Sequence, residues 1–319
     1  MTAGRRPRRS RTRSWTRSWC TAPPHSVGPT FSATWRTASP LLRWPCFRSA
    51  ATRARPHATW RPPPAKRAVS RLTELGARWR GARQVVVLTG AGLSTASGIP
   101  DFRSPGGRWE RYQPTPIQDF LASEAARADY WRYKGETWQL ISKAEPNPAH
   151  LALAELARAG RIELLVTQNV DGLHERSEFP GERLVTIHGT DAKVLCMSCG
   201  REEPRARAQS AWESGARVPR CFCGGAWKPA TISFGQSLIA EDLERSLRAA
   251  AACDLFVAAG TSLVVGPINQ MFVEAKRPGA ATAILTASAT PFDAQVTFKL
   301  NEPVEQVLPQ LRDLVLSRS

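Results

Sequence analysis

The stretch LTGAGLSTASGIPDFRS, residues 88–104, limits what this chain can fold into more than any other segment. The hydrophobic run QVVVLT leads into it, and Val and Leu bounded by glycine read as a strand buried on both faces, the kind found in parallel sheets covered by helices. The glycines therefore fall where a strand ends. At that end of an open α/β sheet, glycine lets backbone N–H groups approach a phosphate, and a following helix N-terminus favours negative charge. A nucleotide is the first ligand implied. A dehydrogenase fits badly: its G-x-G-x-x-G fingerprint needs a third glycine where Thr95 stands, and the next glycine is Gly98. Gly90 and Gly92 alone mark an ordinary turn as readily as a cofactor loop.

The rest of the body repeats the same unit. A helix-like segment from about Val69, stopped near Gly81, precedes the strand at Gln84. After an irregular aromatic stretch, DYWRYKGETWQLISKA reads as an amphipathic helix able to line a cleft. PAHLALAELARAG has apolar residues at helical spacing with Gly160 as its stop, then the strand IELLVT and the polar loop QNVDGLH. Further on come ATISFG, a helix in AEDLERSLRAAAA, the strand DLFVAAG with the loop GTSLVV, a helix through QMFVEAK, the strand ATAIL and a terminal helix from Glu302. Strands alternating with helices predict a Rossmann-like, doubly wound parallel sheet with ligand loops at the strand C-termini.

A net charge of +17 over 319 residues resembles that of a nucleic-acid binder until it is located. Residues 1–73 hold sixteen Lys or Arg and no acid, leaving 28 basic against 27 acidic residues in the remainder. Nucleic-acid binding is therefore expected, if anywhere, only through this tail. The tail lacks Asn, Gln, Ile and Tyr and has no periodic apolar face, so it cannot build a core. Residues 1–68 are read as an extension: a start site placed too early in a GC-rich gene is the favoured reading, a disordered basic arm the next, an organelle transit peptide a third. Residues 69–319 are read as the enzyme-like folded body. No segment approaches membrane length, and a soluble cytoplasmic protein is expected.

Of seven cysteines, Cys20 and Cys46 lie in the tail, and Cys253 sits in the apolar run CDLFVAAG as plain core. The other four form two close pairs, Cys196-Met-Ser-Cys199 and Cys221-Phe-Cys223. In a chain without a secretion signal, this pattern suits one structural zinc better than disulfides, in an insertion at about residues 190–230.

Taken in order, these segments resemble the sirtuins, NAD-dependent protein lysine deacylases. The resemblance covers roughly residues 70–316 through Gly90-Ala91-Gly92, Gly98-Ile99-Pro100-Asp101-Phe102-Arg103, Thr167-Gln168-Asn169-Val170-Asp171-Gly172-Leu173-His174, His188-Gly189, the paired cysteines, Phe234-Gly235 and Gly260-Thr261-Ser262-Leu263. It implies that NAD lies between a Rossmann-like domain and a small module made of a zinc ribbon and helical insertions. Gly90, Ala91 and Gly92 would leave room for the pyrophosphate, with Ser94 and the following amides as donors. Asp101 would hold the nicotinamide carboxamide, Phe102 would cap the reacting ribose, and Arg103 would sense phosphates and ribose. Gln168, Asn169 and Asp171 would surround the nicotinamide ribose, Asn169 orienting ribose or water. The loop Gly260, Thr261, Ser262 would complete the cofactor site. His188 resembles the family's general base, whereas His150 and His174 read as packing residues.

In the implied chemistry the acyl-lysine carbonyl oxygen attacks C1′ of the ribose and nicotinamide leaves, giving an alkylamidate. His188 then activates a ribose hydroxyl that attacks it, and water completes release of lysine and O-acyl-ADP-ribose. Acylated-lysine peptides would add as a strand between Phe234-Gly235 and the loop beginning Gly260. Two departures stand out: a single residue, Phe222, separates the second cysteine pair, and Thr286 stands where the family often has Asn. A C-x-C pair can still reach one tetrahedral ion if the strand bends, which Gly224-Gly225 would permit. No Tyr-x-x-Arg signature of succinyl-selective members is found. Protein ADP-ribosyl transfer and NAD binding without turnover are the rival activities.

Overall fold

The computed structural model describes residues 65–317; the basic tail up to residue 64 lies outside them, with the expectations attached to it. In chain order the elements are α1 (Ala65–Gly81), β1 (Val85–Thr89), α2 (Ile117–Ala122), α3 (Glu124–Ile141), α4 (Pro148–Arg158), β2 (Leu164–Thr167), α5 (Leu173–Arg176), β3 (Leu184–Thr186) and β4 (Gly189–Cys196). They continue with β5 (Glu202–Pro204), α6 (Arg205–Glu213), β6 (Trp227–Thr231), α7 (Ala240–Ala252), β7 (Leu255–Ala259), α8 (Gln270–Ala275), β8 (Ala281–Leu285), β9 (Phe298–Leu300) and α9 (Val304–Leu316).

Six strands form a parallel sheet in the order β3-β2-β1-β7-β8-β9. The chain winds outward from β1 to β3, returns to the centre and winds the other way from β7 to β9, which is the Rossmann order. All five residues of β1 are buried, because helices cover both faces. Val85 and Val87 pack with Trp79, Leu153, Leu308 and Leu311, and Val86 and Leu88 pack on the opposite face with Phe256, Met271 and Phe272. The period-two alternation of a strand thus serves two cores.

Helix boundaries follow local chemistry. Asn147 caps α4, accepting from the Ala149 N–H at 2.9 Å, with Pro148 at the first position, and Gly160 ends the segment at φ +71°. The first helix starts at Ala65, four residues before the expected Val69. The apolar strand expected just before His188 is β3, whereas the edge strand β9 was not foreseen; it has three residues, too few for a periodic signal. ATISFG also differs: the strand there is Trp227–Thr231, and it belongs to a separate antiparallel sheet, β5-β4-β6. That small sheet, α2, α3 and α6 enclose their own core around Phe120, Trp131, Val194 and Trp227, where the Trp131 indole N–H donates to the Trp227 carbonyl at 2.8 Å. Gly135 lets α3 seat on α6, since a Cβ there would lie 2.6 Å from the Trp212 ring.

The residues read as packing groups are core. Cys253 is fully buried. His150 and His174 are buried with ring centroids 5.0 Å apart, and burial holds both below the ordinary histidine range. No described helix is long and apolar enough to cross a membrane.

Candidate active site and metal centre

The sheet reverses its winding between β1 and β7, and ligands of open α/β sheets bind at such a switch point, beyond the strand C-termini. The loops leaving β1, β2, β3 and β7 all arrive there. They line one cleft of about 960 Å³, which holds Gly90, Ala91, Gly92, Ser94, Asp101, Phe102, Arg103, Gln168, Asn169, Asp171, His188, Phe234, Gly235, Gly260, Thr261 and Ser262. Every expected residue apart from the cysteines is in that wall.

The glycines explain how the loops approach. The Gly92 N–H donates to the Gly260 carbonyl at 2.8 Å, and a Cβ on Gly90 would lie 2.7 Å from the Thr261 Cβ. Gly260 has φ +62°, and a Cβ on it would lie 2.3 Å from the Leu93 nitrogen. The immediate need for Gly90, Gly92 and Gly260 is thus contact between the β1 and β7 loops, beyond any space left for a phosphate. Gly260→Ala combines backbone strain with overpacking, together worth roughly 2–4 kcal/mol. The thermal midpoint is expected to fall by about 5 °C or more, measured by calorimetry.

Polar side chains cross-link the same loops. Gln168 Nε2 donates to Thr261 Oγ1 at 2.8 Å. Asn169 Nδ2 donates to the Gly90 carbonyl and to Ser94 Oγ, both at 3.1 Å, which leaves its Oδ1 as the ligand-facing acceptor. Ser94 is almost fully buried and donates to Asp171 Oδ2 at 2.8 Å, while Asp171 Oδ1 accepts from the Leu173 N–H at 3.0 Å. The Ser94 hydroxyl is therefore engaged by Asn169 and Asp171, where a phosphate donor was expected. Asp101 is likewise occupied within its own loop: Oδ1 accepts the Arg103 and Ser104 amides at 3.0 and 2.8 Å.

Near this group His188 Nδ1 meets the Gln168 carbonyl at 3.0 Å. A carbonyl only accepts, so Nδ1 carries the proton and Nε2 keeps its lone pair. Burial lowers the His188 pKa, with the Gln168 carbonyl acting in the opposite sense. At neutral pH the ring is a neutral base.

Trp109 was missed by sequence reading. Its ring lies 5.6 Å from Phe102 and 6.2 Å from Phe234, with the Arg103 guanidinium 4.2 Å above it. One aromatic therefore joins the Asp-Phe-Arg loop to the expected peptide strand; the stretch GGRWERY gave only an irregular aromatic signal. Burial lowers the Arg103 pKa, Asp101 opposing the shift, and its Nη1 donates to Ser262 Oγ at 3.4 Å. At the peptide strand, Phe234 is half exposed and its carbonyl accepts from the Ile117 N–H at 2.9 Å. Thr286 lines the cleft near Ser288 and Ala289.

The four cysteines stand apart from the cleft. Their sulphurs lie within 4.8 Å of one another, with Cys196 to Cys223 at 3.5 Å and Cys199 to Cys221 at 3.8 Å. A tetrahedral zinc with Zn–S of about 2.3 Å requires sulphurs about 3.8 Å apart, so the donor set fits structural zinc. The short C-x-C bite is accommodated by the bend anticipated at Gly224-Gly225: Gly224 has φ +83°, and a Cβ on Gly225 would lie 2.7 Å from Cys196 Sγ.

The Sir2 family model matches residues 90–267. The NAD-dependent protein deacetylase of Rhodopseudomonas palustris is 38% identical over 240 residues, covering 75% of this chain and 95% of that protein. The enzyme of the same name from Sulfolobus acidocaldarius is 38% identical over 228 residues, covering 71% and 88%. Among solved structures, a Sir2–p53 peptide–NAD+ complex superposes with TM-score 0.69 at 30% identity, covering 75% of this chain and 96% of that one. Sir2 bound to acetylated peptide gives TM-score 0.68 at 28% identity, covering 76% and 97%. With a parallel sheet of Rossmann order, the motif residues gathered at its switch point and four thiols set for zinc, this chain belongs to the Sir2 family.

Proposed function

We infer that the protein removes acetyl or other acyl groups from protein lysines at the expense of NAD, releasing nicotinamide, free lysine and O-acyl-ADP-ribose. The observation that carries this reading is His188 held by its Nδ1 on the Gln168 carbonyl, beside Asn169 and Asp171 at the switch point of a nucleotide-binding sheet. A dehydrogenase is disfavoured by the loop instead, where Thr95 replaces the third glycine of its fingerprint.

NAD supplies an electrophilic ribose carbon whose leaving group is nicotinamide. The peptide supplies the acyl oxygen that attacks it, and water enters the product. The chain orients and moves protons. The Gly90, Gly92 and Gly260 amides are engaged by the Ala259, Gly260 and Leu285 carbonyls, so these two loops would reach the pyrophosphate through Ala91, Thr261 and Ser262. Asn169 presents its Oδ1 to the ribose or to water, held by Gly90 and Ser94. His188 Nε2 takes the ribose hydroxyl proton. Phe102, with the Arg108 guanidinium 3.9 Å over its ring and the Trp109 ring 5.6 Å away, is braced to shield the reacting carbon from water. Asp101 receives the carboxamide once its loop opens, because both its oxygens are engaged internally. The peptide adds along Phe234-Gly235. All these groups follow residue 89, so the catalytic body needs nothing from the basic tail, and four thiols kept for a metal suit a reducing, cytoplasmic setting.

The test is to incubate the full chain with NAD and an acetyl-lysine peptide and follow products by mass spectrometry. O-acetyl-ADP-ribose with deacetylated peptide is expected. ADP-ribosylated protein in its place would assign the chain as a transferase, and NAD binding without nicotinamide release would make it a sensing module.

A further inference from the structure

Asp191, three residues beyond His188, is fully buried on β4. Its backbone N–H donates to the Val170 carbonyl at 2.9 Å, in the loop that carries Asn169 and Asp171. Its Oδ2 accepts from Lys134 Nζ of α3 at 3.1 Å, and its Oδ1 lies 3.9 Å from Arg205 Nε of α6. Arg205 donates in turn to the Lys134 carbonyl at 2.8 Å and lies 4.6 Å from the Trp131 ring centroid. One residue thus meets the catalytic loops through its main chain and two helices of the small module through its side chain.

A buried cluster of this kind is a poor way to gain stability. Removing the charges from water offsets most of their attraction, and apolar residues of the same volume often serve as well. Lys228 adds a third buried cation, 5.7 Å from the same Tyr130 ring that Lys134 approaches at 6.0 Å. What the carboxylate supplies is a fixed geometry: Lys134 is held in a direction as well as at a distance, and Arg205 is held as a charge 3.9 Å away. The Lys134 half is closed, while Asp191 Oδ1 and Arg205 Nε remain without hydrogen-bond partners. Lys134 also lines the cleft, so the network reaches from the substrate wall to the strand that follows the base.

We propose that Asp191 is a positioning residue for the reaction: with Lys134 and Arg205 it sets where His188 and Asn169 stand relative to the cleft wall formed by α3. This rests on reading the cleft as a deacylase site. Neither Asp191 nor its partners touch the reacting atoms in this account; they act through the two loops.

The experiment compares full-length wild type, Asp191→Asn, Lys134→Met and the double variant. Single-turnover deacetylation, the KM for NAD, zinc content, thermal melts and deuterium uptake over residues 168–172 and 187–191 are measured. Small misplacements of reacting groups are costly, so each single variant is expected to lose about tenfold or more in rate with KM for NAD within about twofold and zinc retained. Because the two residues are coupled, the double variant should exceed the Asp191→Asn rate by about fivefold. Uptake in both segments should rise together in Asp191→Asn. Unchanged rate and uptake, purely additive losses, or a rate loss matching the unfolded fraction would overturn the proposal. If Asp191→Asn does not fold, Lys134→Met and the double variant carry the same comparison. A wild type that never turns over the peptide would sink the deacylase reading alone, and uptake would still decide the role of Asp191.

Discussion

His188→Ala is expected to slow deacylation by roughly 10²- to 10⁴-fold, the usual contribution of a positioned general base. The loss should fall on the second half of the reaction. Nicotinamide departs when the acyl oxygen attacks, before any ribose hydroxyl must lose its proton, so exchange of labelled nicotinamide into NAD should survive far better than product formation. Fold and zinc content should be unaffected, because among the described residues the hydrogen bond lost with the ring is the one to the Gln168 carbonyl. A single-turnover loss below about tenfold would remove His188 from its role. The pH profile gives a second reading of the same residue. Burial lowers the His188 pKa, and the neutral ring is the active form. The acid limb of kcat/KM should therefore lie below the ordinary histidine value of about 6.5, with activity falling as pH drops through the lowered value and flat above it. In His188→Ala that limb should vanish from the residual rate.

The sheet was legible where burial on both faces left continuous apolar strands. VVVLT, LLVT, LFVAA and ATAIL each carry their own signal, and the helices between them are periodic. The edge strand β3 was legible only as an apolar run before His188, and β9 was not legible, because three residues establish no pattern and their pairing is imposed by the neighbour they extend. The members of the site were legible as motifs, whereas their internal partners were not. Ser94 bonded to Asp171 depends on the approach of two loops 77 residues apart, and Asp101 folded onto Ser104 on the turn of a single loop over 3 residues. Asp191 carried no signal at all: a lone acid in a strand with exposed neighbours reads as solvent-facing, and only the arrival of α3 and α6 makes it a buried junction.

Cys196→Ser is expected to cost the protein both its zinc and its activity, although no cysteine lies in the cleft. The route is mechanical. Cys196 ends β4, the strand that begins at Gly189 beside the base, and the two cysteine pairs tie β4 to the loop entering β6. Between them lies a module whose own apolar core is small, and structural zinc in peptides of this kind contributes an apparent 10–16 kcal/mol, roughly, at neutral pH. Without the metal, the ribbon should melt before the parallel sheet, which has its own two cores. Calorimetry is then expected to show an early transition absent from the wild type, with deuterium uptake rising through residues 189–231. Thiolates are the ligands, so mild acid should release zinc from the wild type and reproduce that transition reversibly on neutralisation. Metal analysis is the decisive measurement: about one zinc per chain is expected in the wild type, and less than about one per two chains after careful purification would show that the short Cys221-Phe222-Cys223 bite does not complete the tetrahedron.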